Sequence, residues 1–406
     1  MRTFIIILCI VLAAVAAVAI YLVVTTPKDA APLRAPLTAS QQELVAHVPA
    51  DAEAYALISA PAVLLGKLET NPVTRDAVEQ WTAENALPPK AMLGGADAVV
   101  WKSGKATSYA VRFDAVRALI VRTWTMFSDV EAQWAGRTLI VGAQSSAAPG
   151  PPAELAMAAG LPPADVLVVQ RKESRGAFPP IPRPAITAVK VEGGQIDITS
   201  RAPGGGDAAP PAGGPAGAPH SLSATAMMAV AFTDPPRVMG DLDRLIAADI
   251  DHLIGDGASV AVYRVDTGTL LPRPFMAVVV PADEKHRATL AEYRSAIEMV
   301  GQTAEANGEL VVAFDRSSAT QYLKDEKRPM PWPANRWSMR LDPQRLIPVL
   351  RKVGDNPALR FATPRIHRGA RDLRRWMGAL EQARSIEAAA SAGGGFEELR
   401  VRVASK

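Results

Sequence analysis

Four arginines, Arg365, Arg368, Arg371 and Arg375, form the most distinctive charged group in the chain. Over Arg365–Ala383 the apolar residues Ile366, Ala370, Leu373, Met377 and Leu380 recur at helical spacing, which sets the arginines on the opposite face. Such a row can meet anionic lipid headgroups or an acidic envelope polymer, or it can be the solvated face of a core helix. Trp332 and Trp337, in the proline-rich loop Arg328–Trp337, are a second candidate. Two indoles there suit a ligand platform, and they equally suit pinning of the loop onto the core.

Other catalytic or metal signatures are missing. The chain has no Gly-x-Ser-x-Gly elbow, Walker loop, Gly-x-Gly-x-x-Gly or His-Glu-x-x-His. Its only cysteine, Cys9, lies inside an apolar run, so neither an intrachain disulfide nor a cysteine zinc site can form. The five histidines are scattered; His252 and His286 sit on predicted helices beside acidic residues and read as surface or capping groups. The acidic run Asp241, Asp243, Asp249, Asp251 and Asp256 looks metal-binding at first sight. Asp241 and Asp243 do not share a helix face, however, and Ile250, His252 and Leu253 stand where a calcium loop needs oxygens. No catalytic residue, cofactor or metal is therefore assigned. An enzyme here would be a hydrolase whose groups meet only in the fold.

The elements that would position these groups begin with a membrane segment. Phe4–Val24 is a 21-residue run without a charge. As a helix it would be ~31 Å long, matching a hydrocarbon core of ~30 Å. Arg2 and the terminal amine favour a cytoplasmic N-terminus, leaving the bulk of the chain outside the cytoplasm. Ala14-Val15-Ala16 and Ala17-Val18-Ala19 also fit a signal-peptidase site, so a secreted or periplasmic product is the alternative. Residues 25–37, with three prolines, read as a semi-extended tether.

Composition excludes wholesale disorder and a polytopic membrane protein: 49% of the 406 residues are hydrophobic, and no later stretch is long and apolar enough to span. The net charge of +3 is uneven, because Arg336–Lys406 carries 13 Arg and 2 Lys against 7 acidic residues. Nucleic acid is a poor partner for an exported chain with only 5% aromatic residues.

A strand that runs directly into an amphipathic helix recurs along the chain. The clearest cases are 54–59 into 60–68, 108–113 into 115–127 and 225–232 into 235–254. Weaker ones are 309–314 into 317–324 and 337–341 into 343–353. Asp114, Asp234 and Asp342 suit the N-caps, and Pro61, Pro235 and Pro343 the first turns. Val116, Leu119, Ile120, Thr123 and Phe127 form one apolar face of their helix, and Pro348 should kink or break its own. Hairpins are expected at 97–101/106–113, 186–192/195–200, 258–265/274–281 and 385–391/396–403. The order of elements in 38–202 is similar to that in 220–406, which suggests duplication. Any alternation of strands and helices invites the same alignment. Between them the Gly/Pro/Ala tract 203–219 is low in complexity, a disordered linker or loop.

Val48-Pro-Ala-Asp-Ala52 leading into Tyr55-Ala-Leu-Ile-Ser59 and a Leu-Leu helix, the Asp-Pro unit at Trp337–Leu350, the closing hairpin and the apolar N-terminus together resemble a family of exported, N-terminally membrane-anchored bacterial proteins of unknown function. The resemblance implies placement and architecture and no activity. The expected fold is α+β: antiparallel sheet from repeated strand-helix and hairpin units, helices on one face, two similar halves and one transmembrane helix. The expected function is a non-enzymatic, membrane-tethered extracytoplasmic binding module for an envelope protein, lipid or cell-wall polymer. A periplasmic carrier of lipid or another hydrophobic ligand is the alternative, and a hydrolase the second.

Overall fold

The computed structural model describes Thr25 and residues 31–84, 90–104, 106–128, 130–142, 153–171, 184–203, 220–233, 257–268, 273–292, 294–313, 315–355 and 377–406. The chain divides into two compact units, Met1–Pro203 and Gly204–Lys406. The fold is α+β, with extensive antiparallel sheet and a few helices. Among the described residues no helix is long and apolar enough to cross a membrane. The run Phe4–Val24, the expected helix 235–254 and the acidic run 241–256 lie outside them, as does the tract 203–219 apart from Pro203.

The first unit contains strands β1 (Ala54–Ser59), β2 (Asp97–Ser103), β3 (Ala106–Arg112), β4 (Ala132–Ala135), β5 (Thr138–Val141), β6 (Val166–Gln170), β7 (Ala185–Glu192) and β8 (Gln195–Pro203). Their spatial order is β4-β5-β3-β2-β1-β6-β7-β8, antiparallel throughout. The second unit has a small pair, β9 (Ser221–Ser223) with β15 (Lys327–Pro329). Its main sheet holds β10 (Met228–Phe232), β11 (Ser259–Asp266), β12 (Arg273–Pro281), β13 (Gln302–Ala306), β14 (Glu309–Ala313), β16 (Trp337–Leu341), β17 (Ala383–Gly393) and β18 (Phe396–Ser405). They run β13-β14-β12-β11-β10-β16-β17-β18, again antiparallel.

The two orders coincide strand for strand, and the register coincides too. One row across the first sheet runs Ala132, Val141, Tyr109, Val100, Ala56, Val168, Thr187, Ser200. The corresponding row in the second runs Thr303, Val312, Val278, Val260, Val230, Met339, Ala388, Val401. Special backbone positions match as well. The β4–β5 turn places Gly136 at φ 60°, and the β13–β14 turn places Asn307 at φ 56°. Asparagine is among the few side chains that tolerate this left-handed region.

Helices α1 (Ala39–Val45), α2 (Pro61–Thr70), α3 (Arg75–Glu84) and α4 (Ala115–Met126) belong to the first unit. Thr38 and Gln41 form a reciprocal capping box on α1. Asp114 caps α4 by accepting from the amides of Val116 and Arg117 at 3.0 and 2.9 Å. Helices α5 (Glu284–Glu292), α6 (Arg294–Val300), α7 (Arg316–Lys324) and α8 (Pro343–Asp355) belong to the second. Asp315 and Asp342 accept amide hydrogens in the first turns of α7 and α8. Pro343 opens α8, but Pro348 does not break it: the helix runs through. Pro348 and Gln344 are both exposed, so the carbonyl deprived of its donor faces water.

Helices cover both faces of the first sheet rather than one. Ala98, Tyr109, Val111 and Leu139 pack with Ala62 of α2 and with Ala118 and Val121 of α4. Strand residues alternate, so Arg112 lies on the other face, where it pairs with Glu43 of α1. That face is filled by Tyr55, Leu57, Val99 and Trp101, each at most 2% exposed. A sheet apolar on both sides needs a cover on both, and burying each such side chain contributes ~1.5–3 kcal/mol. In the second unit α7 packs Ala319 and Tyr322 against Ala231, Ala261, Val279 and Val311, while Leu290 of α5 lies against Val260, Val278 and Val280 on the opposite side.

The second half of the expected tether is part of the first unit. Leu33 is buried and bridges Ala164, and the Ser59 hydroxyl donates to the Ala31 carbonyl at 2.8 Å. Strands β4 and β13 and helix α3 were not anticipated from the sequence.

One buried carboxylate ties α2 to the sheet. Asp165, at the entry to β6, accepts from Lys67 Nζ at 2.8 Å and from the Val191 amide at 2.8 Å. Its side chain is 5% exposed. Removing it strands a buried amide and a half-buried ammonium, so Asp165→Ala should lower unfolding free energy by ~3 kcal/mol in urea denaturation. A loss under ~1 kcal/mol would show that the tie is not structural.

Candidate functional site

The two tryptophans are held by different neighbours. Trp337 opens β16 opposite Phe232 of β10 and packs into the apolar layer with Val230, Val260 and Val280. Trp332 lies in the preceding loop, half-buried, with the Arg402 guanidinium of β18 over its ring at 5.1 Å. Asn335, between them, fixes the loop to the end of β17: its side chain donates to the Ala392 carbonyl at 2.6 Å and accepts from the Ala392 amide at 2.8 Å. This arrangement fastens the loop to the sheet. Arg365, Arg368, Arg371 and Arg375 lie outside the described residues, which resume with the helical stretch 377–381.

A serine and a histidine meet beside this loop. His220 Nδ1 is 2.7 Å from Ser338 Oγ, and Thr233 Oγ1 is 2.9 Å from His220 Nε2. The arrangement joins a hydroxyl, an imidazole and a third group, as acyl-transfer chemistry requires. Two features oppose that use. Ser338 has 0% exposure in the middle of the sheet, so its hydroxyl faces no substrate. The third group is a hydroxyl, which cannot stabilise an imidazolium as a carboxylate does. What the trio does is hold residue 220 to β16 and to the residue following β10. The His220 carbonyl adds to this by accepting the Met330 amide at 2.8 Å. Burial holds the imidazole below its ordinary pKa.

A second polar group sits over the same face of this sheet. Asp325 accepts from the Ser223 hydroxyl and from the Thr225 amide. Glu309 accepts from Lys327 and, at 3.2 Å, from the Tyr322 hydroxyl. Lys327 Nζ lies 4.5 Å from the Tyr322 ring centre. Burial raises the pKa of both Tyr263 and Tyr322. These groups satisfy one another and lash the β9–β15 pair to the sheet. Nothing in their spacing along the sequence announces them. Among the described residues no three His, Cys, Asp or Glu side chains gather as metal ligands.

A third arrangement repeats in both units. Asp114 caps α4 and pairs with Arg117 Nη1 at 2.6 Å, and the Arg117 side chain is only 3% exposed. Asp283 stands at the same place before α5 and pairs with His286 Nδ1 at 2.7 Å, again with the i+3 residue buried. Arg117 also donates from Nη2 to the Thr25 hydroxyl at 2.7 Å. Thr25 directly follows the apolar run Phe4–Val24, so this bond fastens the end of that run to α4.

Comparison with protein-family models, curated proteins and solved structures returned no match.

Two outcomes follow. Trp337→Ala should lower stability by ~2–3 kcal/mol and Trp332→Ala by ~1 kcal/mol, measured by denaturant titration, because only Trp337 belongs to the apolar layer. Equal losses would place both indoles in the core. The second concerns pH. His220 and His47 have folded pKa values depressed below the ordinary 6.5 by burial. The unfolded chain therefore binds protons that the folded chain resists, and stability falls as pH drops below 6.5 toward the folded values. His220→Gln should flatten part of that fall in melting temperature, and an unchanged slope would exclude His220 as a contributor.

Proposed function

We propose that this chain is a non-enzymatic, membrane-tethered extracytoplasmic binding module, built from two copies of one duplicated α+β unit. Its partner is another component of the cell envelope: a protein, a lipid or a cell-wall polymer. The apolar run Phe4–Val24 is its single membrane pass, and the remainder lies outside the cytoplasm. This reading agrees with the likeness to exported, N-terminally anchored proteins.

The Arg117–Thr25 bond carries the proposal. It draws the end of the apolar run onto the folded unit instead of leaving it on a free tether, as does the docking of residues 31–37. Duplication is supported by the matched strand order, the matched row of opposed residues and the repeated Asp114–Arg117 and Asp283–His286 pairs. A carrier of hydrophobic ligands needs an apolar space between sheet and cover. The first sheet is instead packed on both faces with fully buried side chains, which speaks for a module that binds through its surface. The burial of Ser338 speaks the same way against a hydrolase built on the His220 trio.

The test is a C-terminal fusion to a phosphatase that is active only outside the cytoplasm, combined with alkaline carbonate extraction of the membranes. An active fusion that stays in the pellet at full mass is expected. An inactive fusion overturns the reading. An active but soluble and shortened product would mean that the run is a cleaved signal and the protein is released.

A further inference from the structure

The outward face of helix α4 is mostly apolar; its exposed charge, Arg122, is turned to the β4–β5 turn, donating to the Gly136 carbonyl and lying over the Trp134 ring. Ala118 and Val121 point into the core with the buried Arg117. Its outward residues are Val116, Leu119, Met126 and, just beyond the helix, Phe127, with exposures of 47%, 67%, 79% and 87%. Thr123 lies among them and is also exposed. Successive positions turn by ~100°, so these residues form one apolar stripe with Arg122 at its edge. They are four of the five large apolar side chains found exposed among the described residues.

The fold itself does not require this stripe. Helix α5 holds the equivalent place in the second unit, with the equivalent Asp283–His286 pair at its start. Aligned on that pair, Val116 corresponds to Lys285, Leu119 to Ala288 and Thr123 to Glu292, all three exposed. One scaffold thus carries an ordinary solvated helix in one unit and an apolar outward face in the other.

The helix that carries the stripe is also tied to the residue that follows the apolar run. Arg117, in the first turn of α4, bonds Thr25, one residue after Val24. Six residues later Ala31 is fixed to Ser59, so the intervening chain can span no more than ~21 Å. We propose that α4 is a bilayer-surface helix: Val116, Leu119, Met126 and Phe127 insert into the acyl boundary of the membrane crossed by Phe4–Val24. Interfacial helices bury such a face by ~5–10 Å and are strengthened by apolar area. The inference rests on the reading of Phe4–Val24 as a membrane pass.

The full chain, with Cys9→Ala, is given a single cysteine at Leu119, at Phe127 or at exposed Ala39 on α1, which covers the opposite face of the first sheet. Each is labelled with an environment-sensitive dye and reconstituted into phosphatidylcholine–phosphatidylglycerol vesicles with or without acyl-chain spin labels. The dyes at 119 and 127 should be quenched at least ~2-fold more than the dye at 39. Chain that floats with the vesicles while all three dyes are quenched alike overturns the proposal and leaves the membrane pass standing. Dyes at 119 and 127 that are shielded from water yet untouched by the spin labels overturn it as well. They would place a second copy, or the chain's own run, over the stripe. Chain that fails to float removes the membrane pass, and the proposal with it.

Discussion

Each unit depends on the backbone ladder of one strand. β1 and β10 come first in the main sheet of their units, yet each lies in the interior of its sheet, flanked by a partner from an early hairpin and another from a late return strand. An interior strand must satisfy donors and acceptors on both edges. β1 cannot be finished until β6 arrives, and β10 until β16 does. Side-chain alternation then fixes the faces: a slip of one residue would exchange Leu57 for Ile58 and turn the best-buried layer outward. Covers on both faces, and the polar fastenings of Asp165 and of the His220 trio, are consequences of holding that register.

The repeated cap pair shows how much chemistry the scaffold tolerates. A carboxylate before the helix satisfies amides of the first turn and attracts a cationic or polar group three residues on. Arginine in the first unit and histidine in the second both fill that buried place. Arginine's longer fork reaches one bond further, to Thr25, and histidine has no such reach. A small difference in side-chain length thus gives the first unit a tie to the N-terminal run.

Much of the sheet was legible in the sequence because its hairpins carry the two signals that local physics fixes, alternation and left-handed turn residues. The Gly193-Gly194 turn and the limits of β16 are examples. Edge strands β4 and β13 were not legible, because Ala-Gln-Trp-Ala and Gln-Thr-Ala-Glu-Ala are short and rich in alanine, glutamine and glutamate, whose strand propensity is weak, and are specified by the neighbour they pair with. Trp337 in the core and Trp332 under Arg402 are equally a matter of tertiary context. The most instructive case is α4. Its period set Val116, Leu119 and Phe127 on one apolar face, and the period is real. An apolar residue at each turn does not say which of two apolar faces is buried. That choice is made by Arg117, whose pairing with Asp114 takes an arginine into the interior and rotates the stripe outward.

This rotation separates what the fold needs from what one unit does with it. A soluble scaffold places charge on an outward helix face wherever it is free to, and α5 does so with Lys285 and Glu292. The same position in α4 keeps leucine, methionine and phenylalanine exposed on the helix whose Arg117 bonds Thr25. A stripe of that kind on a freely diffusing domain would promote self-association. On a domain held within a few residues of a membrane, the same side chains meet acyl chains before they meet another copy, since tethering raises the local concentration of the surface. The apolar face and the bond to Thr25 therefore belong together, as two halves of the arrangement proposed to set the first unit against a bilayer.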